Sequence, residues 1–152
     1  MAKSKEPVSF QYTRSDKAKA LGLEIKQPRF GDSGYDLQAC DSLSIFKGEQ
    51  MLVPTGLIVE IPMGYVGLVK ERSSLALRSL YVHAGVIDPG YRGEIQVLIE
   101  NRGDSNYHID AGQRIAQLLF LPCRANMVAK EVVFDELSKT PRGDGNFGST
   151  GK

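Results

Sequence analysis

The sequence predicts an all-β domain, a sandwich or closed jelly roll, with one short helix. Two observations lead there. The apolar runs are short and rich in Val, Ile, Leu and Phe. Turn signals fall between them at close intervals: FKGEQ, IPMGY, DPGYRG, NRGDSN and DAGQ. Many short strands at this spacing are the mark of two packed sheets or a closed one. In chain order the strand candidates are VSFQY (8–12), LSIF (43–46), LIVEI (57–61), YVGLVK (65–70), EIQVLIE (94–100), RIAQLLFL (114–121) and MVAKEVVF (127–134). SLALRSL (74–80) reads as the helix, although its leucines at 75, 77 and 80 match a helical period only in part. Past Phe134 the pattern changes to DELSKTPRGDGNFGSTGK, poor in apolar residues and rich in breakers. This divides the chain into a β domain, 1–136, and a flexible tail, 137–152, that orders only on something else.

Bulk properties narrow the function. A chain of 152 residues suggests one domain. A formal net charge of +1 argues against nucleic-acid or membrane binding through an overall field. Cys40 and Cys123 are too few for a disulfide framework and read as reduced core thiols. The start, MAKSKEPVSF, has no apolar h-region, and no apolar run nears the ~20 residues that span a bilayer. The expectation is a soluble, intracellular protein of cytoplasm or nucleus, or of a host compartment if viral.

Five segments can carry chemistry. In RGDGNFGSTG, glycines at 143, 145 and 148 precede Ser149 and Thr150, and Arg142 adds charge. Such a segment is either a phosphate cradle with Phe147 as a stacking lid or an unstructured glycine tail. In GVIDPGYRGEI, Pro89 presets φ at the second turn position and Gly90 accepts a positive φ at the third. Asp88 there is a turn residue or a general base at a hairpin tip, with Tyr91 as a flat wall. ERSSLA (71–76) offers one guanidinium and two hydroxyls to an anion, or an ordinary Ser N-cap. Asp36 in SGYDL can hold a hydrated cation or cap a turn. Gln117 in GQRIAQLLF is a polar residue in an apolar run and needs a partner.

In this order, SGYDL, RSSLA, GVIDPGYRGEI, GQRIAQLLF and RGDGNFGSTG resemble the five motifs of the homotrimeric dUTP pyrophosphatases (dUTPases), from about Gly31 to Gly151. The resemblance implies a jelly-roll (β-clip) trimer whose C-terminal arm is swapped between subunits, leaving near Pro122. It implies hydrolysis of dUTP to dUMP and pyrophosphate, with Mg²⁺ as cofactor. That reaction keeps uracil out of DNA and supplies dUMP for dTMP synthesis. Asp88 would activate the water and Asp36 would hold Mg²⁺ through water. Arg72, Ser73, Ser74 and Gln117 would contact phosphates from the body of the fold. Arg142, Gly148, Ser149 and Thr150 would do so from the lid, with Phe147 stacked on uracil. Gly85, Val86 and Ile87, in a hairpin from about Val82 to Tyr91, would read uracil through backbone groups. Tyr91 would exclude a 2′-hydroxyl. The chain departs from the family pattern at Glu71, where proline is common, at Asn146, and at the Pro89-Gly90 turn.

Two rivals remain distinguishable. The dCTP deaminases share the fold, but they place arginine where this chain has Leu77 and a catalytic glutamate where it has Leu98. A non-catalytic jelly roll, acting as a nucleotide sensor or interaction module, would bind dUTP without turnover.

Overall fold

The computed structural model describes residues 8–124 and 127–140. Among them, eleven strands and two short helices follow in order: β1 Gln11–Arg14, α1 Asp16–Ala20, β2 Tyr35–Gln38, β3 Leu43–Ile45, β4 Gln50–Pro54, β5 Leu57–Glu60, β6 Tyr65–Glu71, α2 Ser73–Ala76, β7 Leu80–His83, β8 Val86–Ile87, β9 Gln96–Asn101, β10 Tyr107–Ile109 and β11 Arg114–Pro122. A 3-10 turn follows at Phe134–Glu136. The fold is all-β, as the sequence predicts.

Every pairing is antiparallel. The larger sheets run β2-β11-β6-β8 and β4-β9-β7, and two ribbons, β1-β5 and β10-β3, complete the set. Alternation drives the core. In β9, Val97 and Ile99 point inward while Leu98 and Glu100 do not. They join Val53 and Leu80 of their own sheet and Leu37, Val69 and Leu118 of the other in one cluster. Each such side chain contributes about 1.5–3 kcal/mol of burial free energy. Among the described residues the two buried polar ones are satisfied. Thr55 donates to the Ile95 carbonyl at 2.7 Å, and the Asn101 amide donates to the Ile45 and Ser105 carbonyls.

Helix α2 is shorter than the segment 74–80. Leu75 anchors it at 5% exposure, whereas Leu77 is 88% exposed. The chain then turns at Ser79, in the left-handed region with φ 60. Leu80 starts β7 because β9 offers it a ladder and the core a place. Helix α1 is capped by the Ser15 hydroxyl, which accepts from the Ala18 N–H at 3.1 Å.

Other expectations shift. VSFQY yields a strand at 11–14, and Phe10 instead stacks against Tyr35 and Phe120. MVAKEVVF forms no strand among its residues 127–134. Met127, Val128 and Phe134 are exposed, so β-propensity there meets no ladder within this chain. Cys40 is a buried thiol, pushed up by burial, but Cys123 lies exposed just past the last β11 pair and is not a core residue. Among the described residues no helix is long and apolar enough to cross a membrane.

Candidate functional site

One groove of about 740 Å³ opens on the outer face of the four-stranded sheet. A bulge builds it. Gln117 of β11 faces Asp36 of β2, and Arg114 faces Gln38, with a register shift between Arg114 and Ala116. Residues three apart on a regular strand point to opposite faces. The extra residue brings Arg114 round to the face that carries Gln117 and Asp36. The Arg114 guanidinium then reaches Asp36 Oδ2 at 3.1 Å. Arg72, just after β6, reaches Asp36 Oδ1 at 3.1 Å through Nε. Asp36 therefore sits in a strand between two guanidinium groups and does not cap a turn.

The remaining anticipated residues of this groove are here too. Ser73 and Ser74 open α2 and line it, while Arg72 takes the N-cap position with no side-chain cap bond. The serines are thus not ordinary N-caps. Gln117 has its partner, donating from Nε2 to the Glu71 carbonyl at 3.1 Å. Gly34 makes room for it, since a Cβ there would fall 2.4 Å from Gln117 Oε1. Glu71 neither pairs with Arg72 nor lines the groove; its carboxylate pairs with Lys70 at 3.2 Å. Its own backbone N–H, then Lys70, hold that carboxyl below the usual range.

A second pocket, about 250 Å³, is lined by His83 to Asp88, Tyr91 and Gln96. Here the expected hairpin is replaced by a change of sheets. β7 pairs with β9, and β8 pairs with β6. The crossing passes through Ala84 and Gly85, both left-handed, with φ 57 and 90. Only glycine fits at 85, because a Cβ would lie 2.6 Å from the Val69 carbonyl oxygen. Asp88 follows β8, exposed, at the start of a turn closed by the Tyr91 N–H on its carbonyl at 3.0 Å. Gly90 is not among the positive-φ glycines, so the Pro-Gly turn forms without the expected left-handed residue. The Tyr91 ring folds over Gly93, where a Cβ would be 2.3 Å from its hydroxyl, and donates to the Glu94 carbonyl at 3.0 Å.

Sequence reasoning missed Lys26, Arg29 and Arg114, which add positive charge to the groove. For Arg114 the signal was present, as the third residue of GQRIAQLLF, but strand alternation points it the wrong way. It also missed Arg92, which fastens the turn to the Pro89 carbonyl at 2.6 Å and to Glu60 at 2.9 Å. Arg142, Phe147, Gly148, Ser149 and Thr150 lie outside the described residues. The groove can bind an anion between guanidinium and hydroxyl groups, and the pocket can hold a flat ring beside a carboxylate.

The dUTPase family profile matches residues 24–151. The deoxyuridine 5'-triphosphate nucleotidohydrolase of Gloeothece citriformis is 39% identical over 147 residues, 95% of this chain and 97% of that one. A variant of the Staphylococcus bacteriophage 80alpha dUTPase with dUpNHpp superposes with a TM-score of 0.82 at 26% identity, over 95% of this chain and 99% of that one. The native EIAV dUTPase superposes with a TM-score of 0.69 at 31% identity, over 82% and 97%.

Proposed function

Because the chain belongs to the dUTPase family and is a dUTP diphosphatase, we propose that it releases pyrophosphate by attack of water on the α-phosphorus, at sites shared among three copies. The reaction asks for a base, neutralisation of charge and positioning. Asp88 is the base. It is exposed to water at the mouth of the smaller pocket, next to the wall formed by Tyr91. The backbone of Gly85, Val86 and Ile87 reads the uracil edge, and Tyr91 packs under the deoxyribose. Arg72, Ser73, Ser74 and Gln117 hold phosphate oxygens. The tail of another copy closes the site, with Arg142, Gly148, Ser149 and Thr150 on the outer phosphates and Phe147 on the base. The reaction serves the cell by removing dUTP, which keeps uracil out of DNA, and by supplying dUMP for dTMP synthesis.

The donor set fits Mg²⁺. Among the described residues no three His, Cys, Asp or Glu side chains gather as a metal cage. Mg²⁺ asks for none, since it keeps several waters and binds through one or two carboxylates and the substrate's phosphates. Asp36, 41% exposed, keeps lone pairs beyond its two guanidinium contacts. When bound, the ion would draw charge from the triphosphate, and Asp36 would hold it through its water shell.

The observation that supports this reading most is the gathering of Asp36, Arg72, Ser73, Ser74 and Gln117 on one groove. The test is pyrophosphate release with Mg²⁺ from dUTP, dTTP, dCTP and UTP. Strong turnover of dUTP alone is expected. Ammonia from dCTP, or dUTP bound without turnover, would overturn it.

A further inference from the structure

His83 is the last residue of β7 and the first in the lining of the smaller pocket. Its Nε2 lies 2.5 Å from Glu100 Oε2. The two are diagonal neighbours on adjacent strands, for Tyr81 faces Glu100 and His83 faces Leu98. Glu100 is fixed in turn by Arg102, whose Nε donates at 2.8 Å and whose guanidinium stands 5.5 Å from the centre of the Tyr81 ring.

The backbone just beyond His83 makes this pair more than a surface contact. Within two residues the chain leaves one sheet and enters the other. One of those residues, Ala84, has φ 57, a conformation that side-chain-bearing residues rarely adopt. Such a corner persists only where its surroundings hold it. It is held at both ends. After it, the Val69 N–H donates to the Gly85 carbonyl at 2.8 Å. Before it, the His83–Glu100 pair locks the end of β7.

We propose that His83 is a positioning residue for base recognition: its ring, clamped by Glu100, fixes the Ala84–Gly85 corner and so sets the width of the pocket that admits uracil. This rests on the reading that Gly85, Val86 and Ile87 receive the base. His83 acts through the backbone C-terminal to it and takes no part in the chemical step.

The test is steady-state kinetics of the full chain with dUTP and dTTP, with a melting temperature for each variant. His83→Ala and Glu100→Gln should each raise KM for dUTP about tenfold, the size of one charge-assisted hydrogen bond. kcat should fall by less, and the preference for dUTP over dTTP should narrow. His83→Gln should recover most of the loss, because its amide nitrogen reaches Glu100 much as Nε2 does. Tyr91→Ala separates the pocket from its clamp. If Tyr91→Ala raises KM while His83→Ala leaves KM and selectivity unchanged, the role of His83 is overturned and the pocket stands. The same holds if His83→Ala lowers the melting temperature alone. If neither variant changes KM, the pocket is not the base site, and both readings fall.

Discussion

Asp88 and Glu100 are both carboxylates beside the smaller pocket strands, yet they do different work. Asp88 is exposed, and its carboxylate is free to face a ligand's water. Asp88→Asn keeps the shape and removes the proposed base. It should keep KM for dUTP within a few-fold while kcat falls by roughly 10²–10⁴, the range for a lost general base. Near-normal kcat would end the assignment. Glu100 is committed to the fold. The His83 hydrogen bond, then Arg102, hold its carboxyl below the usual range. A folded carboxyl of lowered pKa gives up its proton more readily than the same group in the unfolded chain. Its stabilisation is therefore complete above the ordinary carboxylate pKa of about 4.3 and fades as pH falls through the native value. Thermal melts between pH 6 and pH 3 (conditions spanning the carboxylate range) should show a shallower acid loss in Glu100→Gln than in wild type; equal slopes would contradict it. At this scale much of the site was legible. Asp36, Arg72, the two serines and Gln117 are polar residues in settings that demand a partner, and the groove unites them. His83 was not legible, because its partner is 17 positions away and only strand register brings them together.

The elements explain both what the sequence disclosed and what it hid. β5, β6, β9 and β11 carry continuous or alternating apolar residues, and they appear within a residue or two of expectation. β2, β4 and β10 run three to five residues and mix polar with apolar positions, so no period emerges from them alone. β7 was hidden behind a helical reading, since LALRSL suits a helix until Ser79 takes a left-handed turn. The bulge in β11 was invisible for a different reason. It breaks the two-residue period on which strand reading depends, and it alone puts Arg114 beside Asp36. The crossing from β7 to β8 makes a sharper demand on one residue. Gly85→Ala must place a side chain at φ 90 and 2.6 Å from the Val69 carbonyl oxygen. The conformation alone costs about 1–2 kcal/mol. A fall in melting temperature of about 4 °C or more should result, with dUTP affinity falling as the corner shifts. An unchanged melting temperature would mean that the corner is slack.

For the whole molecule, the decisive fact is that groove and pocket are separate on one chain. Arg72 follows β6 and Asp88 follows β8, its antiparallel neighbour; with Gly67 facing Ile87, the two residues lie at opposite ends of the pair, about 20 Å apart along the strand. A base must come within about 3 Å of the proton it takes, directly or through one water. On the proposed roles, Asp88 is therefore too distant to serve a phosphate held by Arg72 of the same chain, and the proposed sharing of sites between copies removes the difficulty. The measurement that tests this most directly is complementation between two inactive variants. Arg72→Ala and Asp88→Asn, each made alone, should be nearly inactive. Co-expressed so that mixed assemblies form, they should regain dUTP hydrolysis, because some sites then combine an intact Arg72 from one chain with an intact Asp88 from the next. Activity no greater than that of the separate variants, in assemblies shown to contain both, would contradict the shared site.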